Sequence, residues 1–107
     1  MNEFEMLYDT VIDRKENPEE GSYTSYLFAK GLDKILKKIG EESTEVIIAS
    51  LGESKEDLIN EINDLMYHLA VLMAEKDITP AEVAEVMKKR AEKTHNLKPE
   101  RKPVTNL

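Results

Sequence analysis

Apolar residues recur with helical spacing through two long neighbouring stretches, 32–51 and about 55–76, separated only by Gly52-Glu53-Ser54. At about 100° per residue, Leu32, Ile35, Leu36, Ile39, Val46 and Ile47 share one face of the first stretch. Leu58, Ile62, Leu65, Leu69 and Leu72 form a stripe on the second, widened by Ile59, Met66, Ala70 and Met73. Two amphipathic helices on so short a connection fold antiparallel against each other. That hairpin commits the chain to helix-on-helix packing, and nothing else in the sequence opposes it.

The flanking segments extend the same pattern. Asn2 is placed to cap a helix over about 3–15, with Phe4, Leu7, Val11 and Ile12 facing inward. The run Glu16-Asn17-Pro18-Glu19-Glu20-Gly21 then breaks it, since Pro18 disfavours helix at Asn17. Residues 22–30 read as a short helix or a structured loop closed by Gly31. Gly52 suits the C-terminal cap of the long helix. Ser54, with Asp57 three residues on, caps the next one. Thr79 and Pro80 open a last helix running to about 93. The expectation is an all-α, four- to five-helix bundle-like domain over 1–93. Residues 94–107, with two prolines and mixed charge, read as an extended or disordered C-terminal tail.

Composition narrows the function classes. With four Gly and four Pro in 107 residues there is little material for a many-turned β fold. A net charge of −7 argues against a nucleic-acid partner. The absence of cysteine excludes disulfides and thiolate zinc sites. No apolar run reaches the roughly 18 residues that span a bilayer, so no membrane partner is expected. The acidic N-terminus MNEFEMLYD is not a secretory signal, and the chain reads as cytoplasmic. A domain this small buries only about two-thirds of its unfolded surface, and long helices would leave apolar area uncovered, which favours a homo-oligomer.

Carboxylates supply the chemistry. Glu42 and Glu45 lie one turn apart at the border of the first apolar face, with Glu41 further towards solvent. Glu61 and Asp64 do the same on the second helix, with His68 one turn on. Glu45 lies seven residues before Gly52 and Glu61 seven after Ser54, while Glu42 and Asp64 are each about a turn further from the connection. The hairpin therefore sets the four at matching heights on axes about 8–10 Å apart. Carboxylates so placed repel each other unless a cation neutralises them. A hard divalent ion such as Mg²⁺, which shares its coordination with substrate phosphates, fits such a donor set. The plainer reading is two solvated helix faces, with Lys38 pairing with Glu42.

Lys30, Lys34 and Lys38 recur every four residues towards these acids, and Lys37 adds to them. A basic row beside an acidic cluster suits an anionic ligand such as a phosphate chain, although i, i+4 ion pairs explain the spacing equally well. Ser22, Tyr23, Thr24, Ser25 and Tyr26 present five hydroxyls, for phosphate or ribose or for capping and turns. His68 reads either as a partner supporting Asp64 or as a hydrogen-bonded residue at the core edge, and Tyr67 as a packing residue. There is no Gly-rich phosphate loop and no His-Glu-x-x-His.

Three runs carry a resemblance: residues 21–31 (GSYTSYLFAKG), 34–45 (KILKKIGEESTE) and 61–69 (EINDLMYHL). Over about residues 4–90 the chain resembles the phosphoribosyl-ATP pyrophosphohydrolase family, within the all-α NTP pyrophosphohydrolase (MazG-like) group. The resemblance implies hydrolysis of phosphoribosyl-ATP to phosphoribosyl-AMP and pyrophosphate, the second step of histidine biosynthesis. It also implies Mg²⁺, with Mn²⁺ as a substitute, at Glu42, Glu45, Glu61 and Asp64, and Glu41 as an additional ligand or base. Ser22, Tyr23, Thr24, Lys30, Lys34, Lys37 and Lys38 are then the expected substrate contacts, and the family forms dimers. In some organisms the domain is fused to a cyclohydrolase. This chain has no length left for one and reads as the stand-alone form, and its tail from Thr94 matches no family pattern. A housekeeping (d)NTP pyrophosphatase of the same group and a non-catalytic helical interaction module are the competing readings.

Overall fold

The structure, a computed structural model, describes residues 1–93 together with 95 and 97. Five helices follow in order: α1 (Glu3–Glu16), α2 (Tyr23–Lys30), α3 (Leu32–Ser50), α4 (Lys55–Glu75) and α5 (Pro80–Ala91). There is no strand among the described residues. The expected tail, 94–107, lies outside the described residues apart from 95 and 97.

Local chemistry explains where each helix starts. The Asn2 side chain accepts from the Glu5 amide at 2.8 Å while Glu5 reaches back to the Asn2 amide, a reciprocal cap that satisfies two free donors. Ser22 accepts from the Ser25 amide at 3.1 Å, which makes 22–30 a helix rather than a loop. Ser54 accepts from the Asp57 amide at 3.1 Å, and Thr79 with Glu82 forms a second reciprocal cap ahead of Pro80. Gly31, at φ 90°, ends α2 and starts α3 within one residue, and only glycine takes that dihedral readily. Gly52 behaves differently from the expected glycine cap. Leu51 closes α3 in the right-handed region, and Gly52 is absent from the positive-φ glycines.

Tyr8, Val11, Leu27, Ile35, Ala70, Val71 and Ala74 form the core. The α3–α4 hairpin is the largest helix pair; α1 lies across α4, and α2 fills the angle between α1 and α3. Alanines at 70 and 74 let α1 approach α4 closely. Lys15 fastens the same contact. Its ammonium donates to the Ala74 carbonyl at 2.8 Å, in the last turn of α4.

The burial pattern on α4 differs from the sequence expectation. The residues it buries are His68, Ala70, Val71 and Ala74, while Ile59, Ile62, Met66 and Leu69 of the expected core stripe stay exposed. On α3, Ile35 is buried but Leu36 and Ile47 are exposed. The chain's own helices cover only the small-residue side of α4. A groove of about 520 Å³ remains between α1, α4 and α5, lined by Phe4, Met66, Leu69, Met73, Val83 and Met87. No helix is long and apolar enough to cross a membrane among the described residues.

Candidate active site

The hairpin brings together Glu42 from α3 and Glu61 and Asp64 from α4. One carboxylate oxygen of each lies within 4.8 Å of the others. Opposite oxygens on one Mg²⁺ sit about 4.2 Å apart, twice a bond of about 2.1 Å. At most one of the three pairs can be opposite, and adjacent donors sit about 3.0 Å apart, so side-chain torsions must draw the oxygens together; their all-oxygen chemistry and mutual approach within 4.8 Å suit a hard divalent cation. Partial burial pushes the Glu61 carboxyl up from its usual range, and the charges of Asp64, Glu42 and Glu45 push it the same way. That is the electrostatic signature of acids facing one another.

Glu45 is exposed and stands outside this group, although its charge reaches Glu61. Counting residues from the connection paired Glu45 with Glu61, but helical phase decides otherwise. Ile35 marks the buried line of α3. Glu42, seven residues on, is about 20° from that line, and Glu45, ten residues on, is about 80° from it. Glu42 alone is therefore aimed at both α4 carboxylates. On α4, Glu61 and Asp64 stand seven and four residues before buried His68, on the same line as the residue that faces the core.

Lys38 borders the cluster, with its ammonium 3.1 Å from Glu41 and 3.5 Å from Glu42. Its hydrogen bond holds the Glu41 carboxyl below the usual range, helped by the charges of Lys37 and Lys34. A carboxylate so held is a weaker proton acceptor, which counts against Glu41 as the base. Glu41 in turn raises the Lys38 ammonium. The lysine row is broken at Gly31. Lys30 ends α2 with its ammonium 5.8 Å from the Tyr26 ring centre, while Lys34 and Lys38 continue on α3.

The hydroxyls expected at the substrate have partners within the fold. Ser22 caps α2. The Tyr23 hydroxyl lies 3.1 Å from His68 Nε2, and Thr24 hydrogen-bonds the Tyr67 hydroxyl. His68 Nδ1 donates to the Asp64 backbone carbonyl at 2.7 Å, so His68 supports the main chain of Asp64 and not its carboxylate. Tyr23, Tyr67 and His68 pack as one aromatic cluster, with Tyr23 stacked on Tyr67 at 6.2 Å and the His68 ring edge-on to both. Tyr67 had read as a packing residue. Its one available signal was its place beside His68, one turn beyond Asp64.

Comparison with known proteins identifies the family. The family model described as phosphoribosyl-ATP pyrophosphohydrolase matches residues 4–91. A phosphoribosyl-ATP pyrophosphatase of Clostridium acetobutylicum is 57% identical over 101 residues, covering 94% of this chain and 92% of that protein. Another of that name, from Streptococcus thermophilus, is 51% identical over 95% of this chain and 97% of its own length. A histidine biosynthesis bifunctional protein of Caldanaerobacter subterraneus is 54% identical over 87 residues, which span 81% of this chain but 42% of that longer protein. A family match over residues 4–91, with relatives more than half identical along nearly the whole of both chains, places the chain in the phosphoribosyl-ATP pyrophosphohydrolase family.

Proposed function

We propose that this protein hydrolyses the α–β phosphoanhydride of phosphoribosyl-ATP, releasing pyrophosphate and phosphoribosyl-AMP in the second step of histidine biosynthesis. The observation that carries the reading is the convergence of Glu42, Glu61 and Asp64 beside Lys38 in a chain of this family. These three carboxylates, with Glu45 at the rim, are the residues that would hold Mg²⁺, with Mn²⁺ as a substitute. A bound divalent ion supplies Lewis-acid polarisation of phosphoryl oxygens and a more acidic water. The chain's own contribution is positional and electrostatic. Lys38, with Lys34 and Lys37 on the same helix, offsets the charge of the triphosphate and of the leaving pyrophosphate. The attacking water gives its proton to a carboxylate of the cluster.

The exposed apolar stripe of α4 supports a homodimer. Ile59, Ile62, Met66 and Leu69 continue into the groove beside α5, where Met87 is also exposed. A second copy is the occupant that the family reading implies, and it would remove this surface from water.

The test is direct. The purified chain is incubated with phosphoribosyl-ATP, and separately with ordinary NTPs and dNTPs, with Mg²⁺ and then with EDTA. Pyrophosphate release from phosphoribosyl-ATP that EDTA stops is the expected result. Preference for an ordinary triphosphate would move the protein to a housekeeping pyrophosphatase role, and no metal-dependent activity on any of them would leave only an interaction module.

A further inference from the structure

Among the described residues His68 is the one buried side chain that is polar throughout, at 5% exposure, and both of its ring nitrogens are engaged. Nδ1 lies 2.7 Å from the Asp64 backbone oxygen, which carries no hydrogen, so Nδ1 must be the donor. In a neutral imidazole Nε2 is then a bare acceptor. The Tyr23 hydroxyl, 3.1 Å away, has to give its hydrogen to that nitrogen. What Tyr23 leaves for the site is an oxygen with lone pairs and no proton to donate.

That oxygen is tied through the imidazole to the backbone of Asp64, one of the three converging carboxylate residues. Burial raises the phenol's pKa, the Lys38 ammonium opposes it, and the charges of Glu42 and Glu41 act with burial. Phosphate oxygens are acceptors only, and so is a phenol whose hydrogen is already committed; the two have no hydrogen bond to form. A water molecule or the Lys38 ammonium can donate to it.

We propose that His68 is a positioning residue that fixes Tyr23 as an obligate hydrogen-bond acceptor beside the carboxylates, so that Tyr23 orients a donor, water or the Lys38 ammonium, and does not bind a phosphate of the substrate. The relay runs from the Asp64 carbonyl through the imidazole to the phenol, and ties α2 to the turn of α4 that carries Asp64. The parallel hydrogen bond between Thr24 and Tyr67 sets the same two helices in register one residue along. The kinetic part of this inference rests on the proposed hydrolysis; the tautomer does not.

Two measurements on the full chain decide it. Long-range proton–nitrogen correlation of the imidazoles should show His68 with Nδ1–H and a bare Nε2, and Tyr23→Phe should shift the Nε2 resonance. An Nε2–H tautomer, or an Nε2 signal indifferent to Tyr23→Phe, overturns the proposal whatever the enzyme does. In the second arm, Tyr23→Phe should lower kcat for phosphoribosyl-ATP about tenfold, the loss of one hydrogen bond in the working complex. KM should stay within about twofold, because no phosphate contact has been removed. His68→Leu should reproduce that profile, and His68→Gln, whose amide keeps one donor and one acceptor, should recover part of it. Should His68→Leu fail to fold, Tyr23→Phe at a partly exposed ring still gives the answer. A tenfold rise in KM, or an unchanged kcat, refutes it. A wild-type chain that fails to hydrolyse phosphoribosyl-ATP refutes the proposed function instead, and leaves the imidazole measurement to judge the relay.

Discussion

Asp64→Asn should reverse its effect on stability according to whether Mg²⁺ is present. In EDTA the wild-type chain holds Glu42, Glu61 and Asp64 oxygens within 4.8 Å of one another, with Lys38 paired to Glu42, so removing the Asp64 charge relieves repulsion and the melting temperature should hold or rise. With Mg²⁺ the balance inverts. An octahedral ion draws oxygens that lie within 4.8 Å of one another to about 3.0–4.2 Å. By linkage its binding free energy adds to the stability of the folded chain. At a free Mg²⁺ concentration 100 times its dissociation constant the gain is about 2.7 kcal/mol. At roughly 4–8 °C per kcal/mol for a domain of this size, Tm rises by about 11–22 °C. A variant whose affinity falls a hundredfold gains only about 0.4 kcal/mol, or about 2–3 °C, at the same concentration. Differential scanning fluorimetry over a Mg²⁺ titration reads both limits. Equal Mg²⁺-dependent shifts in the two proteins would refute the site. A lower Tm for the variant in EDTA would refute the repulsion argument on which the site was built.

Four further outcomes are expected. Because burial and then the charges of Asp64, Glu42 and Glu45 raise the Glu61 carboxyl, the metal-free folded chain binds more protons there than the unfolded one. Glu61 therefore adds stability as pH falls from its folded pKa towards its ordinary value and loses it as pH rises, so Glu61→Gln should flatten that part of a metal-free pH–stability profile. Glu41, depressed by Lys38, works in the opposite sense, losing stability as pH falls, and Lys38→Met should remove its share in the same titration. Met66→Glu puts a charge in the middle of the exposed α4 stripe and should shift the chain to monomer in sedimentation while leaving its helicity by circular dichroism unchanged; a dimer that survives it places the interface elsewhere. Leu27→Ala, at a fully buried position where α2 meets the core, should cost about 2–5 kcal/mol in urea unfolding.

How much of this was written in the sequence depends on how local the physics is. Helix starts were legible because each cap closes within three residues: Asn2 with Glu5, Ser54 with Asp57, Thr79 with Glu82. The family could be read from runs of adjacent residues for the same reason. The carboxylate cluster was legible only in part. Residue counts give the height of a side chain along a hairpin, but its direction needs a reference for burial, and Ile35 supplies that only once the fold is known. Without that phase a residue count sets Glu45 level with Glu61, outside the group of three, and a row drawn through Gly31, whose φ of 90° breaks it, takes in Lys30. The hydroxyls of Tyr23 and Thr24 find partners 45 and 43 residues away, beyond the reach of any local pattern.

The apolar stripe on α4 shows a different kind of limit. Periodicity says that Ile59, Ile62, Met66 and Leu69 avoid water, and it is silent on which chain provides the cover. The single chain buries the opposite, alanine-rich side, because small residues let α1 and α4 approach until Tyr8, Val11 and Val71 fill the space between them. Having packed there, α4 has no second face of its own chain to offer the stripe. A helix that is apolar over most of its circumference in a five-helix chain is therefore evidence about assembly as well as about fold. The carboxylates of Glu61 and Asp64 stand between its two apolar sides, where the helix meets water.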